Sequence, residues 1–215
     1  MLMQMAGHTL LWHNVERLQR AKKAEALVVA IPQGDREQPL VEYCLGEGWE
    51  VFRGSEEDVL GRYYHCACEY GLTHIVRATG DCPLVDPEVV DAMIELHLLE
   101  DADYSSSKNE VGCGVPNGIG LEMFSFAALE RSHREGLAAN HREHINEYII
   151  ENPSSFRVAA YREPAGKHCP NLDLTVDTAE DFLFVGGILE DFASNHDRIT
   201  TEAIIAHCSK IRGKS

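Results

Sequence analysis

HIVRATGDCPLVDPEVVD, residues 74–91, is the stretch that decides the reading of this chain. Its opening residues, Ile75-Val76-Arg77-Ala78-Thr79, predict a short buried strand. Gly80 and Asp81 follow, and a helix starts soon after: Asp86 suits its cap, and Pro87 its first turn, where a missing N–H costs nothing. Asp81 is thereby placed on the loop that leaves the carboxyl end of a strand. Open α/β sheets bind their ligands there.

The flanking sequence repeats the alternation. Residues 8–23 predict a helix with Leu11, Val15 and Leu18 on one face. The run ALVVAI at 26–31, closed by Pro32 and Gly34, suits a strand buried on both faces. A helix over 35–45 and a strand over 49–52 come next, and Ser55 followed by Asp58 resembles a helix-start cap. Val59, Tyr63, Ala67 and Tyr70 then share a helical face, and Val89, Met93 and Leu96 share another beyond the opening stretch. Strand alternating with helix is the pattern of a mostly parallel sheet covered on both faces. From 103 the pattern loosens into Ser, Gly and Pro. A strand is expected over 156–161 (FRVAAY), in a small antiparallel element, and a helix over 142–151. LDLTV at 172–176 reads as a further buried strand, Thr178 with Asp181 as a second capping pair, and Thr200 as the start of a last helix. No repeat or linker divides the chain, so residues 1–215 read as one domain with a small lobe at 103–161.

Composition excludes several function classes. The 215 residues hold 19 Lys and Arg against 35 Asp and Glu, a formal charge of −16, which argues against broad nucleic-acid binding. No apolar run is long enough for a membrane span. The seven cysteines are scattered, with no CxxC pair, and read as reduced thiols of a cytoplasmic protein. His141 and His144 have HxxH spacing, but no third ligand is predictable nearby, so zinc is not expected.

Asp177 sits as Asp81 does, after an apolar strand and before a capped helix. Two carboxylates at one sheet edge repel unless a cation joins them, and Mg²⁺ commonly takes one or two carboxylates plus phosphate oxygens and water. Each aspartate could instead merely cap the turn or helix that follows, a commoner use of the residue. Local sequence leaves both readings open.

The blocks FRGSEEDVLGRY, RATGDCPLVDPEVVD, NGIGLEMFSFAALE, REHINEYI and LTVDTAEDF, in that order, resemble the spore-coat polysaccharide cytidylyltransferases, relatives of the acylneuraminate and ketodeoxyoctonate cytidylyltransferases. The resemblance implies a three-layer α/β nucleotidyltransferase fold, of the nucleotide-diphospho-sugar transferase type. It also implies Mg²⁺ as cofactor and transfer of CMP from CTP to a sugar or sugar acid, with release of pyrophosphate, for polysaccharide or glycan biosynthesis. By the same matching, Asp81 and Asp177 are the catalytic metal aspartates, and Arg53, Gly54, Ser55, Arg77 and Gly80 lie by the nucleotide. Glu122, Arg142, Glu143 and His144 lie toward the sugar, and the lobe at 103–161 would support a homodimer.

Two departures from the pattern stand out. The family opens with a strand and a loop of the form RxGSxRLPGK, whereas this sequence opens with MLMQMAGHTLL, so the first strand and the phosphate loop are both missing. No glycine-rich loop with a lysine replaces it within the 215 residues. This reading expects Met1 to be a truncation or a misplaced start, and its alternative is a catalytically impaired, nucleotidyltransferase-like binding domain. The second departure is Gly120, which stands where the family tends to carry an aspartate. A nucleotide-sugar transferase is the weaker third reading, because neither Asp81 nor Asp177 lies in a DxD tripeptide.

Overall fold

The computed structural model describes residues 1–108, 111–193 and 199–212. It opens with a small hairpin, β1 (Gln4–Met5) against β2 (His8–Thr9). Helix α1 (Leu10–Leu18) follows at once, capped by the Thr9 hydroxyl, which accepts from the Trp12 N–H at 3.1 Å. The helix is shorter than residues 8–23: the hairpin takes His8 and Thr9, and the helix ends at Leu18 with Gln19 as its cap.

Strand β3 (Val28–Pro32) pairs in parallel with β4 (Glu50–Gly54), from Val28 opposite Glu50 to Pro32 opposite Gly54. Helix α2 (Gln38–Gly46) makes the crossover. Asp58, rather than Ser55, caps α3 (Val59–Glu69), by accepting from the Gly61 N–H at 2.7 Å; the Ser55 hydroxyl in turn accepts from the Asp58 N–H. Helix α3 runs back along the sheet. Its trailing Tyr70 hydroxyl lies 3.3 Å from Glu50 Oε2, at the start of β4. Strand β5 (His74–Arg77) begins at that end and finishes where Arg77 meets Tyr63, in the first turns of α3. It thus runs in the same direction as β4, which puts the carboxyl ends of β3, β4 and β5 on one side.

Asp86 caps α4 (Pro87–Leu99), accepting from the Glu88 N–H at 2.9 Å. Beyond it, β6 (Tyr104–Ser106) and β7 (Glu122–Ser125) join β5 in a sheet ordered β5-β7-β6-β8, with β8 (Val158–Ala160) at the far edge. Helices α5 (Phe126–Glu135), α6 (Ala139–Glu143) and α7 (Glu147–Glu151) lie between β7 and β8. The single helix expected over 142–151 is thus two short ones. Strand β8 pairs parallel with β6, not antiparallel, because the three helices return the chain to the starting end. Helices α8 (Ala179–Asp191) and α9 (Thr201–Arg212) close the chain, α8 with the expected Thr178–Asp181 capping box. The α/β character is as the sequence predicts. No helix among the described residues is long and apolar enough to cross a membrane.

Two expectations fail for backbone reasons. Residues 172–176 bury Leu172 and Leu174 as a strand would, yet they form only an isolated bridge between Asn117 and Asp173. Their backbone is engaged by loops on either side: Asn117 N–H to Leu172 O at 2.9 Å, Leu174 N–H to Asn117 O at 3.0 Å, and Val176 N–H to Asp81 O at 2.9 Å. Strand β3, read as buried on both faces, is buried only at Ile31. One of its edges pairs with β4; the other borders a cleft of about 1080 Å³ that β5 lines as well.

The turn at Ala165–Lys167 and the start of α9 are tied to the start of α4 by an ion cluster whose Asp86 and Lys167 are buried. Lys167 Nζ lies 2.7 Å from Asp86 Oδ2 and 2.8 Å from Glu88 Oε2, and the Thr201 hydroxyl donates to the same Asp86 oxygen. Removing one member of such a cluster strands the others in a medium that solvates charge poorly. Lys167→Met is expected to cost about 3–5 kcal/mol of unfolding free energy, read from urea midpoints. A loss under about 1 kcal/mol would show that the cluster contributes no more than a surface pair.

Candidate functional site

Asp81 stands on the loop after β5, half-buried, and that loop is held from α1. Asn14 Nδ2 donates to Thr79 O at 3.1 Å and to Cys82 O at 2.8 Å. Arg17 Nε donates to Val85 O at 2.6 Å, and its Nη2 reaches Ile199 O at 3.0 Å. Burial lowers Arg17 to about 10, so it remains charged at neutral pH. Two polar side chains of one helix thus fix both ends of residues 79–85. The neighbouring Cys82 thiol is pushed up to about 12, first by burial and then by the Asp81 charge, which removes it as a nucleophile.

Asp177 reaches the same place by a different route from the expected one. It leaves an extended segment rather than a strand, and the Val176 N–H bonded to Asp81 O joins the two loops through their backbones. The Asp177 side chain is exposed, and the Thr175 hydroxyl lies 2.9 Å from its Oδ2 and 2.8 Å from Asp173 Oδ1. Asn117 Nδ2 donates to Asp173 at 3.1 Å, and Gly118, at φ +86°, lets the loop press against this segment. A Cβ on Gly118 would stand 2.8 Å from the Leu174 carbonyl carbon. Among the described residues no three His, Cys, Asp or Glu side chains gather into a metal cage. Carboxylates on adjoining loops are hard oxygen donors, the chemistry Mg²⁺ takes beside phosphate oxygens and water.

The remaining candidates divide into two groups. Arg53, Gly54 and Ser55 end β4 on the same side as Asp81. Arg53 is exposed and reaches Gly34 O at 2.7 Å, across the loop that follows β3. Arg142 lies beside this group, pairing with Asp58 at 3.3 Å and donating to His133 O, while Glu143 and His144 are exposed. Arg77 and Gly80 belong to the second group, at the end of β5. Arg77 pairs with Glu122, which is wholly buried and also takes Lys108 Nζ at 2.7 Å and the Tyr104 hydroxyl at 2.8 Å. Gly120 packs so closely that a Cβ there would stand 2.8 Å from Ser107 O, so the chain has no room for a carboxylate at that position without a backbone shift.

Sequence reading missed Asn14, Arg17, Tyr104 and Lys108. The first two sit at i and i+3 on a helix otherwise read for its apolar face, and their partners are backbone carbonyls some seventy positions away, which no local pattern reveals. Lys108 follows three serines, Ser105–Ser107, with nothing to announce its partner.

Glu122 carries a pH signature. Burial alone would raise its carboxyl, but the Lys108 and Arg77 charges and the bonds from Lys108 and Tyr104 outweigh burial and hold it below the usual carboxylate range. A folded pKa below the unfolded one contributes stability above about pH 4.3, which is lost as pH falls through the folded value. Glu122→Gln is therefore expected to destabilise by about 3 kcal/mol at neutral pH. The gap to the parent should narrow in urea titrations taken down to about pH 3; a gap independent of pH would remove the carboxylate from this account.

The chain can be set beside known proteins on these features. A family profile described as cytidylyltransferase matches residues 1–195. The spore coat polysaccharide biosynthesis protein SpsF of Bacillus subtilis is 32% identical over 184 residues, 85% of this chain and 75% of that protein. A cytidylyltransferase structure from Leptospira borgpetersenii superposes with a TM-score of 0.90 at 28% identity, over 99% of this chain and 87% of that one. The structure of CMP:2-keto-3-deoxy-manno-octonic acid synthetase complexed with CTP shares the fold, with a TM-score of 0.64 at 12% identity over 88% of this chain and 91% of that one. On the profile match across most of its length and on these relatives, this chain belongs to the cytidylyltransferase family.

Proposed function

We propose that the chain transfers CMP from CTP to a hydroxyl of a sugar or sugar acid, releasing pyrophosphate, in the cytoplasmic synthesis of a surface polysaccharide or glycan. The observation that carries this reading is the backbone bond from Val176 to Asp81, which brings two acidic loops together at the carboxyl end of β5. Family membership supports the nucleotide, and the likeness to SpsF supports polysaccharide biosynthesis.

In this reading Asp81 and Asp177 hold the metal. Mg²⁺ would supply charge neutralisation on the triphosphate and polarise its α-phosphate. The acceptor hydroxyl attacks the α-phosphorus in line with the departing pyrophosphate, and positioning and charge do most of the catalysis. Arg53, Gly54 and Ser55 border the nucleotide on the β4 side, and Arg77 and Gly80 on the β5 side. Glu122 acts as a positioning residue: its oxygens are taken by Arg77, Lys108 and Tyr104, so it presents two cations in a protein of charge −16. Arg142, Glu143 and His144 lie next to the 53–58 loop, where a sugar would approach.

The direct assay is pyrophosphate release with CTP, Mg²⁺ and a panel of keto-sugar acids. Asp81→Asn and Asp177→Asn are each expected to lower turnover by about a hundredfold or more, with unchanged urea midpoints. Normal turnover in either variant would overturn its metal role.

A further inference from the structure

Glu122 holds two cations, and they line different cavities. Arg77 borders the large cleft along β3 and β5, whereas Lys108 lines a second pocket of about 410 Å³, walled by residues 115–117 and 170–173. That volume lies within the range of about 300–1,000 Å³ usual for small-molecule sites. Pro116, Pro170 and Leu172 give the pocket apolar walls. Its polar side chains are Lys108, Asn117, Asn171, Asp173 and Ser107, whose hydroxyl is engaged by the Leu121 backbone. The pocket adjoins the paired acidic loops. One hydroxyl, that of Thr175, lies 2.8 Å from Asp173 Oδ1 and 2.9 Å from Asp177 Oδ2. The Lys108 charge is felt in turn by the Cys82 thiol, next to Asp81.

The pocket therefore carries one cation and one carboxylate, each held from behind. Lys108 Nζ is 2.7 Å from Oε2 of the wholly buried Glu122. An ammonium has three donors, so a ligand in the pocket can take those that Glu122 does not. Asn117 Nδ2 reaches both oxygens of Asp173 at 3.1 Å, and the Thr175 N–H and hydroxyl add to Oδ1. Among the described residues Asp173 Oδ2 has only the Asn117 bond, and a carboxylate oxygen accepts more than one. Gly120 brings no side chain of its own. A Cβ there would stand 3.5 Å from Lys108 Cα, so a carboxylate at this position would compete for the ammonium. A matching ligand offers an anion to Lys108, a hydroxyl donor to Asp173 and a ring face to the prolines. A neutral sugar would cover the ammonium without an anion to replace its water, which is costly.

We propose that this pocket is the acceptor subsite and that its acceptor is a sugar acid, bound with its carboxylate on Lys108 and a hydroxyl on Asp173. Lys108 is then the residue that separates sugar acids from neutral sugars, while Arg77, its counterpart on Glu122, serves the nucleotide side. This assignment rests on the CMP-transfer reading, which supplies the second substrate, and narrows it from sugars in general to sugar acids.

Calorimetric binding tests it, with keto-sugar acids and their methyl esters titrated into the full chain in the presence of CMP and Mg²⁺. At least one acid is expected to bind about tenfold or more tightly than its ester. Lys108→Met should abolish that preference, and Lys108→Arg should keep most of it. Asn171→Trp, at an exposed position on the pocket wall, should block the acid and leave CTP binding unchanged; it decides should Lys108→Met fail to fold. Equal binding of acids and esters, or binding of no acid, overturns the proposal. So does a preference that survives Lys108→Met, or acid binding untouched by Asn171→Trp. A Lys108→Met variant that weakens CTP and not the acid overturns it too, because the ammonium would then serve the triphosphate. Pyrophosphate release is read separately. Acid binding through Lys108 without release overturns CMP transfer and leaves the acid site; release with neutral sugars alone overturns the acid site and leaves CMP transfer.

Discussion

The loop after β5 is the constraint on which the rest of the site depends. A loop at a sheet edge has backbone groups that no ladder satisfies, and left to solvent it would wander. Here Asn14 and Arg17 on α1 take three of its carbonyls, and Val176 N–H takes a fourth, that of Asp81 itself. The amino-terminal helix therefore does more than cover the sheet. It sets the position of an aspartate that follows it by more than sixty residues. The same bonds explain why the 172–176 segment is not a strand: its donors and acceptors are already committed to two loops, and joining those loops is what brings Asp177 to Asp81.

Charge is handled locally against an unfavourable total. A chain of charge −16 repels a triphosphate at long range. At the end of β5, however, a buried glutamate gathers Arg77 and Lys108 and fixes them. Burying Glu122 alone would be costly; burying it between two cations and a tyrosine hydroxyl turns it into the anchor of a small positive site. The ion cluster of Asp86, Glu88 and Lys167 uses the same physics for a structural purpose, clamping the 165–167 turn and, through Thr201, α9 to the start of α4.

Much of the architecture was legible from residues alone. Asp86 with Pro87 and Thr178 with Asp181 announced two helix starts, and both caps form because a short polar side chain reaches free N–H groups within its own turn. The apolar runs at 26–31 and 74–79 announced two strands for the same local reason. Less of the site could be read. Asn14, Arg17, Tyr104 and Lys108 act on partners distant in sequence, and no periodicity encodes a carbonyl seventy positions away. The apolar character of ALVVAI signals a strand, but not burial on both faces: only Ile31 is buried, because one edge of β3 borders a cleft.

What the sequence determined by itself about this protein was the local order: which stretches become helix or strand, where the helices begin, and that Asp81 leaves the carboxyl end of a strand. These follow from side-chain sterics and from hydrogen bonds that close within a few residues. Only the tertiary structure decided how the strands pair, that Asp177 arrives through a backbone bond rather than along a strand, that Glu122 is an anchor, and that β3 and β5 both line one cleft. Each of these is a contact between distant segments, selected by which backbone and charged groups remain unsatisfied once the local elements have formed.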